Sequence, residues 1–547
     1  MSKPLDKQKK LDSNPFLISD SQFSGEEEIP LDVLFIGAGP AGLAGAIKLA
    51  QLSKKENLNL EIGVLEKAAE LGGHSLSGAV VNPKAFLELF PEKSIKDLPF
   101  KDKVTKEKVL FLTKNKAFKL PTPPTMRNKG NYTASLCEML RFLGQEAESL
   151  GVNIFTGFPA KSLLVNGKQI TGVRTTPSGL NRDSSPGAQY TPSVNIKAKV
   201  SVLCEGTRGL LTQAYIQKEN LAGESKQIYA LGVKELWKVP KNLEHIIHTL
   251  AWPLDTSDFG GSWIYPMGKN KVSIGLVIGL DYKKHSVDVH KKLQHLKQHP
   301  VFQKILQGGE ILEWGAKTIP EGGWGALPTR LYGDGVLMAG DTAGFVNVPA
   351  LKGIHYSMYS GMFAAESAFE ALQKNDFSKE QLSSYQKKIN QSFIKSDLQK
   401  VSEIRPSFKK GFITGGIKAG LLSLKLNALV FKNPPLKEDA EEDKTFNTKL
   451  ESLPLNPSIP VISKVDAVYL SGNKTRDDIP CHLSSVKDID KSTAEFYSAL
   501  CPAGVYEWKD EQLIINAPNC IDCKATDVLG PRWEPREGGS GPNYKEM

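Results

Sequence analysis

Cysteine is scarce, with six in 547 residues. Three of them crowd the C-terminus and no regularly spaced set runs along the chain, which excludes a disulfide framework and fits a reducing compartment. No apolar run reaches the roughly 20 residues that a bilayer span needs, so no membrane-crossing helix is expected. Residues 1–30 are polar and mixed in charge. They lack the apolar core of a secretory leader and the arginine-rich, acid-poor character of a mitochondrial presequence, so a bacterial setting is expected. Basic residues outnumber acidic ones, 69 to 60, for a net charge of +9. They are spread along the chain without an aromatic-studded basic stripe. Nucleic acid is therefore not an expected partner, whereas acidic proteins and anionic lipid are. Internal repeats are absent, and no second glycine-rich motif offers a separate nicotinamide site.

What is present begins with a dinucleotide signature. Leu31 to Ile36 is a buried-strand run, Gly37-Ala38-Gly39-Pro40-Ala41-Gly42 follows, Leu43 to Leu52 reads as helix, and a second apolar strand, Leu60 to Leu65, ends in Glu66. Gly37 permits the tight turn, Gly39 lets backbone approach a pyrophosphate, and Gly42 lets the helix pack on the strand. Phosphate then sits on the helix N-terminus and Glu66 accepts from ribose hydroxyls. The small residues Gly72, Gly73, His74, Ser75 and Gly78 come next and let the chain run along an extended cofactor such as FAD. Far downstream, a strand ends in Gly340-Asp341-Thr342-Ala343-Gly344 and a helix follows. Similar segments in glutathione-reductase-type flavoproteins place the aspartate on the ribityl chain.

The last fifty residues hold a second signature. Cys501-Pro502-Ala503-Gly504-Val505-Tyr506 is followed by Asn519-Cys520-Ile521-Asp522-Cys523, and at the next three-residue step stands Thr526. This is most of an iron–sulfur ligand set, which ordinarily has four thiolates. Threonine is a poor ligand for such iron. Four outcomes stay open: a three-iron cluster, a four-iron cluster with a non-cysteine ligand, recruitment of Cys481 or Cys204, or no cluster. Cys137 and Cys204 sit in apolar runs and are expected as core residues.

From about Asp32 to the C-terminus the chain resembles the electron transfer flavoprotein–ubiquinone oxidoreductases and the related FixC-type bacterial flavoproteins. The landmarks are Gly73-His74-Ser75-Leu76-Ser77-Gly78, Phe259-Gly260-Gly261-Ser262, Gly344-Phe345-Val346-Asn347-Val348-Pro349, the Cys501 and Cys520 segments, and Gly538 to Tyr544. The resemblance implies FAD held by Gly37, Gly39, Gly42, Glu66, Gly73, His74, Ser75, Gly340, Asp341, Gly344 and Asn347. It implies quinone at Gly260 and Gly261, and a 4Fe-4S or 3Fe-4S cluster on Cys501, Cys520 and Cys523. Electron transfer flavoprotein, ubiquinone and a membrane surface, entered from one side without crossing, are the implied partners. The expected place is the cytoplasmic face of a bacterial inner membrane, with the mitochondrial inner membrane as the alternative. A competing reading is an FAD-dependent reductase or hydroxylase of a lipid-like substrate, as in geranylgeranyl-reductase-like proteins. No side chain is singled out as catalytic.

The expected fold is α/β: a glutathione-reductase-type FAD domain with an inserted sheet domain and a C-terminal ferredoxin-like domain. The layout read from the chain is a mobile 1–29; the FAD domain in 30–215 and 326–400, with a membrane-facing loop near 109–126; a quinone or substrate sheet in 216–325; an amphipathic surface segment in 401–435; a linker in 436–454; and a ferredoxin-like domain in 455–547. Within 408–432, Lys410, Lys418, Lys425 and Lys432 fall on one side of a helical wheel. Phe408, Phe412, Leu422, Leu426, Leu429 and Val430 fall on the other, as a helix lying in a membrane interface requires.

Overall fold

The structure is a computed structural model that describes residues 14–23, 25–411, 414–416, 418–419, 433–442, 444–445, 456–483, 489–530 and 533–547. Its first sheet has a parallel core in the order Val336–Met338, Asn195–Leu203, Glu28–Ile36, Ile62–Glu66, Asn153–Thr156. Val33, Leu34 and Phe35 are fully buried, as strands covered on both faces must be, which explains their unbroken apolar run. The hairpin Ala160–Asn166 and Gln169–Thr175 branches off the start of Asn195–Leu203.

Residues 14–23 and 25–29 lie against this sheet, contrary to the expected mobility. Leu17–Ser19 pairs in parallel with Leu163–Val165, and Phe16 is buried. Three apolar residues in a polar stretch are too few to show a period, yet they suffice to extend a sheet edge.

Helix α1 (Pro40–Lys55) crosses helix α2 (Ile354–Lys374) at glycine. A Cβ on Gly361 would lie 2.0 Å from the carbonyl oxygen of Ala41, and one on Gly45 would lie 2.5 Å from the Phe35 ring.

A second sheet runs Glu310–Pro320, Tyr229–Lys238, Lys271–Gly279, Gly260–Pro266, Ile246–Ala251, Glu107–Leu112, Ala117–Leu120. The stretch expected as a free loop near 109–126 is thus, through Leu120, the edge hairpin of this sheet. Its prolines, at 121, 123 and 124, come only after the second strand ends. Phe118 remains exposed. The C-terminal unit has helices Lys464–Leu470 and Lys491–Leu500 and the hairpin Tyr506–Lys509 with Gln512–Ile515. Its tail returns to the first unit, where Tyr544 N donates to Gly73 O at 2.9 Å.

A buried ion cluster fixes the second sheet to the segment after α2. Arg405 donates to Glu321 at 2.7 Å and to Asp281 at 2.8 Å, and Lys409 pairs with Asp281 at 3.3 Å. Burial pushes the Asp281 carboxyl up, but the charges of Arg405 and Lys409 outweigh it and hold it at about 2. The stabilisation is therefore complete above the ordinary carboxylate range and fades as pH falls toward 2. Asp281→Asn leaves Arg405 short of a counter-charge and is expected to cost about 3 kcal/mol near neutral pH. The loss of melting temperature should shrink between pH 4 and pH 2; an equal loss at every pH would contradict this account.

Candidate active site

The strand Glu28–Ile36 hands over to α1 through Gly37, whose φ of +111° suits glycine and whose Cβ would meet the Cys204 carbonyl oxygen at 2.4 Å. A Cβ on Gly42 would stand 2.0 Å from Gly37 O. At Gly39 nothing lies within 4 Å of that position, because Gly39 faces a cavity of about 660 Å³. No side chain caps the first turn of α1, so its N–H groups face that cavity as an anion site. Glu66, at the end of the neighbouring strand, accepts from Ala38 N at 3.2 Å and Ala68 N at 2.8 Å. Burial nevertheless raises its pKa.

Asp341 borders the same cavity in the turn after Val336–Met338 and accepts from Ser357 Oγ at 3.0 Å; burial raises its pKa too. Its turn abuts the N-terminus of α2, where a Cβ on Gly353 would lie 3.7 Å from Asp341. His74, Ser75 and Gly340 also border the cavity. Gly42, Gly73, Gly344 and Asn347 do not line it. Gly42, within α1, lets the helix pack against Gly37, Gly344 shapes a turn, and Asn347 accepts from Ala350 N at 3.1 Å and donates to Tyr356 at 3.3 Å. An open cradle of this length, with an anion-binding helix end and carboxylates at two depths, fits an extended dinucleotide.

The second sheet roofs the cavity through Phe259, Gly260 and Gly261. These glycines also have a packing reason. A Cβ would meet Val277 O at 2.2 Å from Gly260 and Thr249 O at 2.8 Å from Gly261. The segment 401–435 is described only in part; Phe412, Leu422, Leu426, Leu429, Val430, Lys425 and Lys432 lie outside the described residues, and so does the side chain of Lys410. Where it is described, Phe408 packs on Phe259 with ring centres 5.0 Å apart, and Phe408, Gly416 and Ala419 border the cavity.

Cys501, Cys520, Cys523 and Thr526 surround one small cell of about 20 Å³, closed by Val505, Tyr506 and Trp533. Burial raises all three thiols, Cys523 to about 12. A bound metal has to displace those protons. Cys520 Sγ accepts from Asp522 N at 3.5 Å, and backbone N–H groups of Ala503, Val505 and Ala525 face the other two sulfurs. Three soft donors with N–H groups turned toward them fit an iron–sulfur cluster. Cys204 instead borders the large cavity and Cys481 is exposed, and neither lines this cell.

Sequence reasoning missed what joins the two sites. Asp522 sits between Cys520 and Cys523 and takes Arg536 at 3.0 Å and Lys67 at 2.7 Å, with His74 Nδ1 at 3.7 Å. Burial would raise its carboxyl, but Arg536 and Lys67 hold it well below the usual range. Lys67 and His74 flank the cofactor-side loop, so the cysteine loop is tied to the dinucleotide cavity. Lys524 and Trp533 border both spaces. The signal available was an acid inside Cys520-Ile521-Asp522-Cys523, with no means of knowing its partner.

A dinucleotide cradle roofed by a sheet, side by side with a thiol-lined cell, defines an oxidoreductase with two adjoining redox centres. Residues 229–319 match the ubiquinone-binding model of ETF-QO, residues 461–545 match the 4Fe-4S model of electron transfer flavoprotein-ubiquinone oxidoreductase, and residues 36–89 match an NAD(P)-binding Rossmann-like domain. The mitochondrial electron transfer flavoprotein-ubiquinone oxidoreductase of Arabidopsis thaliana is 37% identical over 95% of this chain and 85% of that protein. A probable one from Acinetobacter baylyi is 33% identical over 95% of this chain and 99% of its own length. The chain belongs to the electron transfer flavoprotein–ubiquinone oxidoreductase family. Among solved structures, a geranylgeranyl bacteriochlorophyll reductase-like protein from Thermoplasma acidophilum has a TM-score of 0.58 at 17% identity, over 74% of this chain and 97% of its own. At that identity the likeness is one of fold. Relatives include mitochondrial and bacterial proteins, and among the described residues no helix is long and apolar enough to cross a membrane.

Proposed function

We propose that this chain takes electrons from reduced electron transfer flavoprotein and passes them, with FAD and an iron–sulfur cluster as its redox groups, to ubiquinone at a membrane surface. The observation that carries the reading is the shared wall of Lys524 and Trp533 between the two spaces. When bound, the cluster supplies single-electron transfer and FAD the exchange between one- and two-electron chemistry. The α1 N-terminus and Gly39 would hold the pyrophosphate, with Gly37 and Gly344 shaping the turns and Gly42 letting α1 pack close. Glu66 takes the ribose hydroxyls and Asp341 the ribityl chain. The loop Gly73-His74-Ser75 and Gly340 flank the flavin, and Asn347 supports the turn beside it. Cys501, Cys520 and Cys523 hold the cluster. Gly260 and Gly261 present backbone to the quinone head, beneath a mouth bordered by Phe259 and Phe408. Purified FAD-loaded protein should couple oxidation of reduced electron transfer flavoprotein to reduction of ubiquinone-1. Failure to oxidise the flavoprotein would end the proposal.

The 408–432 segment anchors the protein, which on this reading works at the cytoplasmic face of a bacterial inner membrane. Each lysine near anionic lipid contributes about 1 kcal/mol. Changing Lys418, Lys425 and Lys432 together to Glu is expected to weaken binding to phosphatidylserine-containing vesicles by about a hundredfold. Wild-type binding should fall with salt. Salt-independent binding, or no change in the triple variant, would place this stretch away from lipid.

A further inference from the structure

A quinone becomes a quinol by gaining two electrons and two protons, and the step is faster where an acid stands beside the oxygen being reduced. Lys352 borders this cavity at the N-terminus of α2, together with His248, Gly260 and Gly261. Its Nζ donates to Asn128 Oδ1 at 2.7 Å and to Ala350 O at 3.3 Å. Asn128 is itself buried, and its backbone N donates to the half-buried Glu107 at 3.0 Å. One asparagine therefore holds a half-buried, cavity-facing ammonium on one side and a half-buried carboxylate on the other.

The titratable groups facing Lys352 are Glu107 on the strand Glu107–Leu112, His248 on Ile246–Ala251, and His355 on α2. Tyr265 and Asp341 border the same space. The imidazoles do not compete as acids: burial, then the charge of Lys352, pushes both to about 3. Tyr265 lies 2.6 Å from His248 Nε2, and with Nε2 accepting from that hydroxyl, the neutral ring carries its proton on Nδ1, which has no hydrogen-bond partner among the described residues. Lys317 and Lys524 also border the cavity, but at the cysteine-loop end, where they donate to Asp522 O and Arg208 O.

We infer that Lys352 is the acid that protonates the quinone as it is reduced, held by Asn128 and reloaded from solvent on the Glu107 side. The inference rests on the function proposed above. One N–H bond of Lys352 breaks as one O–H bond forms on a quinone carbonyl oxygen; the electrons come from the flavoprotein donor. The neutral amine regains a proton from hydronium in solvent on the Glu107 side, and the second oxygen, on the opposite side of the ring, takes its proton from solvent. Enclosure brings the Lys352 ammonium down to about 7, with Glu107 holding it up, so it can give and regain a proton near neutral pH.

The test compares two acceptors on FAD-loaded protein with reduced electron transfer flavoprotein as donor: ubiquinone-1, which needs protons, and ferricyanide, which does not. K352R keeps the charge but cannot release a proton at neutral pH. It should reduce ubiquinone-1 about a hundredfold more slowly, in line with loss of a general acid, with ferricyanide reduction and flavin content unchanged. Wild-type quinone reduction should fall as pH rises through about 7, and K352R should lose that inflection. E107Q removes the charge that supports the ammonium, so its inflection should move to lower pH, a shift that a purely structural effect would not produce. Wild-type quinone reduction with K352R equally fast, or with the same inflection, overturns the inference alone. A wild-type protein that passes electrons to ferricyanide but never to ubiquinone-1 overturns both.

Discussion

Gly39→Val is expected to leave the protein folded and strip it of FAD. Its Cβ has no neighbour within 4 Å, so the apoprotein can accept the branched side chain. The same side chain covers the uncapped N–H groups of α1, the surface a pyrophosphate needs. A loss of about 3 kcal/mol of binding, roughly a hundredfold in Kd, is the expected size, read as flavin absorbance per protein after gel filtration. Gly361→Val is the control. Its Cβ would fall 2.0 Å from backbone at Ala41, so α1 and α2 must separate, and the fold itself should fail. A yellow Gly39→Val protein with wild-type flavin content would mean that the cavity beside α1 is not the cofactor site.

These glycines were legible in the sequence because the motif is local. Strand, turn, helix and acid follow one another within about 35 residues, and each step has a steric reason that needs no partner elsewhere. Asp341 was legible for the same reason, as the end of a strand entering a helix. Asn347 was not: its side chain serves Ala350 in its own turn and Tyr356 on α2, and no spacing rule separates a turn former from a cavity wall. Long-range pairings were the least readable. Lys67 and Asp522 are 455 residues apart, so nothing in either neighbourhood announces their contact, although that contact sets the two redox sites side by side. The hairpin Glu107–Leu112 and Ala117–Leu120 pairs through Ile246–Ala251 with a sheet formed more than 100 residues later. Sequence offered only its prolines, and those lie beyond the strands. Lys352, an ordinary lysine by composition, acquires its properties from the cavity it faces and from Asn128 and Glu107, far from it in the chain.

Thr526→Cys is expected to change the cluster that the C-terminal unit holds. Cys501, Cys520, Cys523 and Thr526 surround one cell, so the hydroxyl occupies the corner where a fourth thiolate would bind. A threonine hydroxyl is hard and difficult to deprotonate near neutral pH, whereas iron in such clusters prefers soft sulfur. Three thiolates with an inert fourth wall suit a three-iron cluster, which lacks the corner iron that the hydroxyl would fail to hold. Wild-type protein made anaerobically should then show the EPR signal of an oxidised three-iron centre. Thr526→Cys should lose that signal when oxidised, gain a four-iron signal on reduction, and tolerate oxygen better. The two side chains are similar in size but the variant loses a hydroxyl beside Tyr506, so its melting temperature is measured with the spectrum to separate a cluster change from unfolding. An unchanged spectrum in the variant would show that Thr526 is not the missing corner. Wild-type protein reconstituted with iron and sulfide yet free of iron would show that the cell holds no cluster, and electrons would then enter the FAD site directly from the flavoprotein donor.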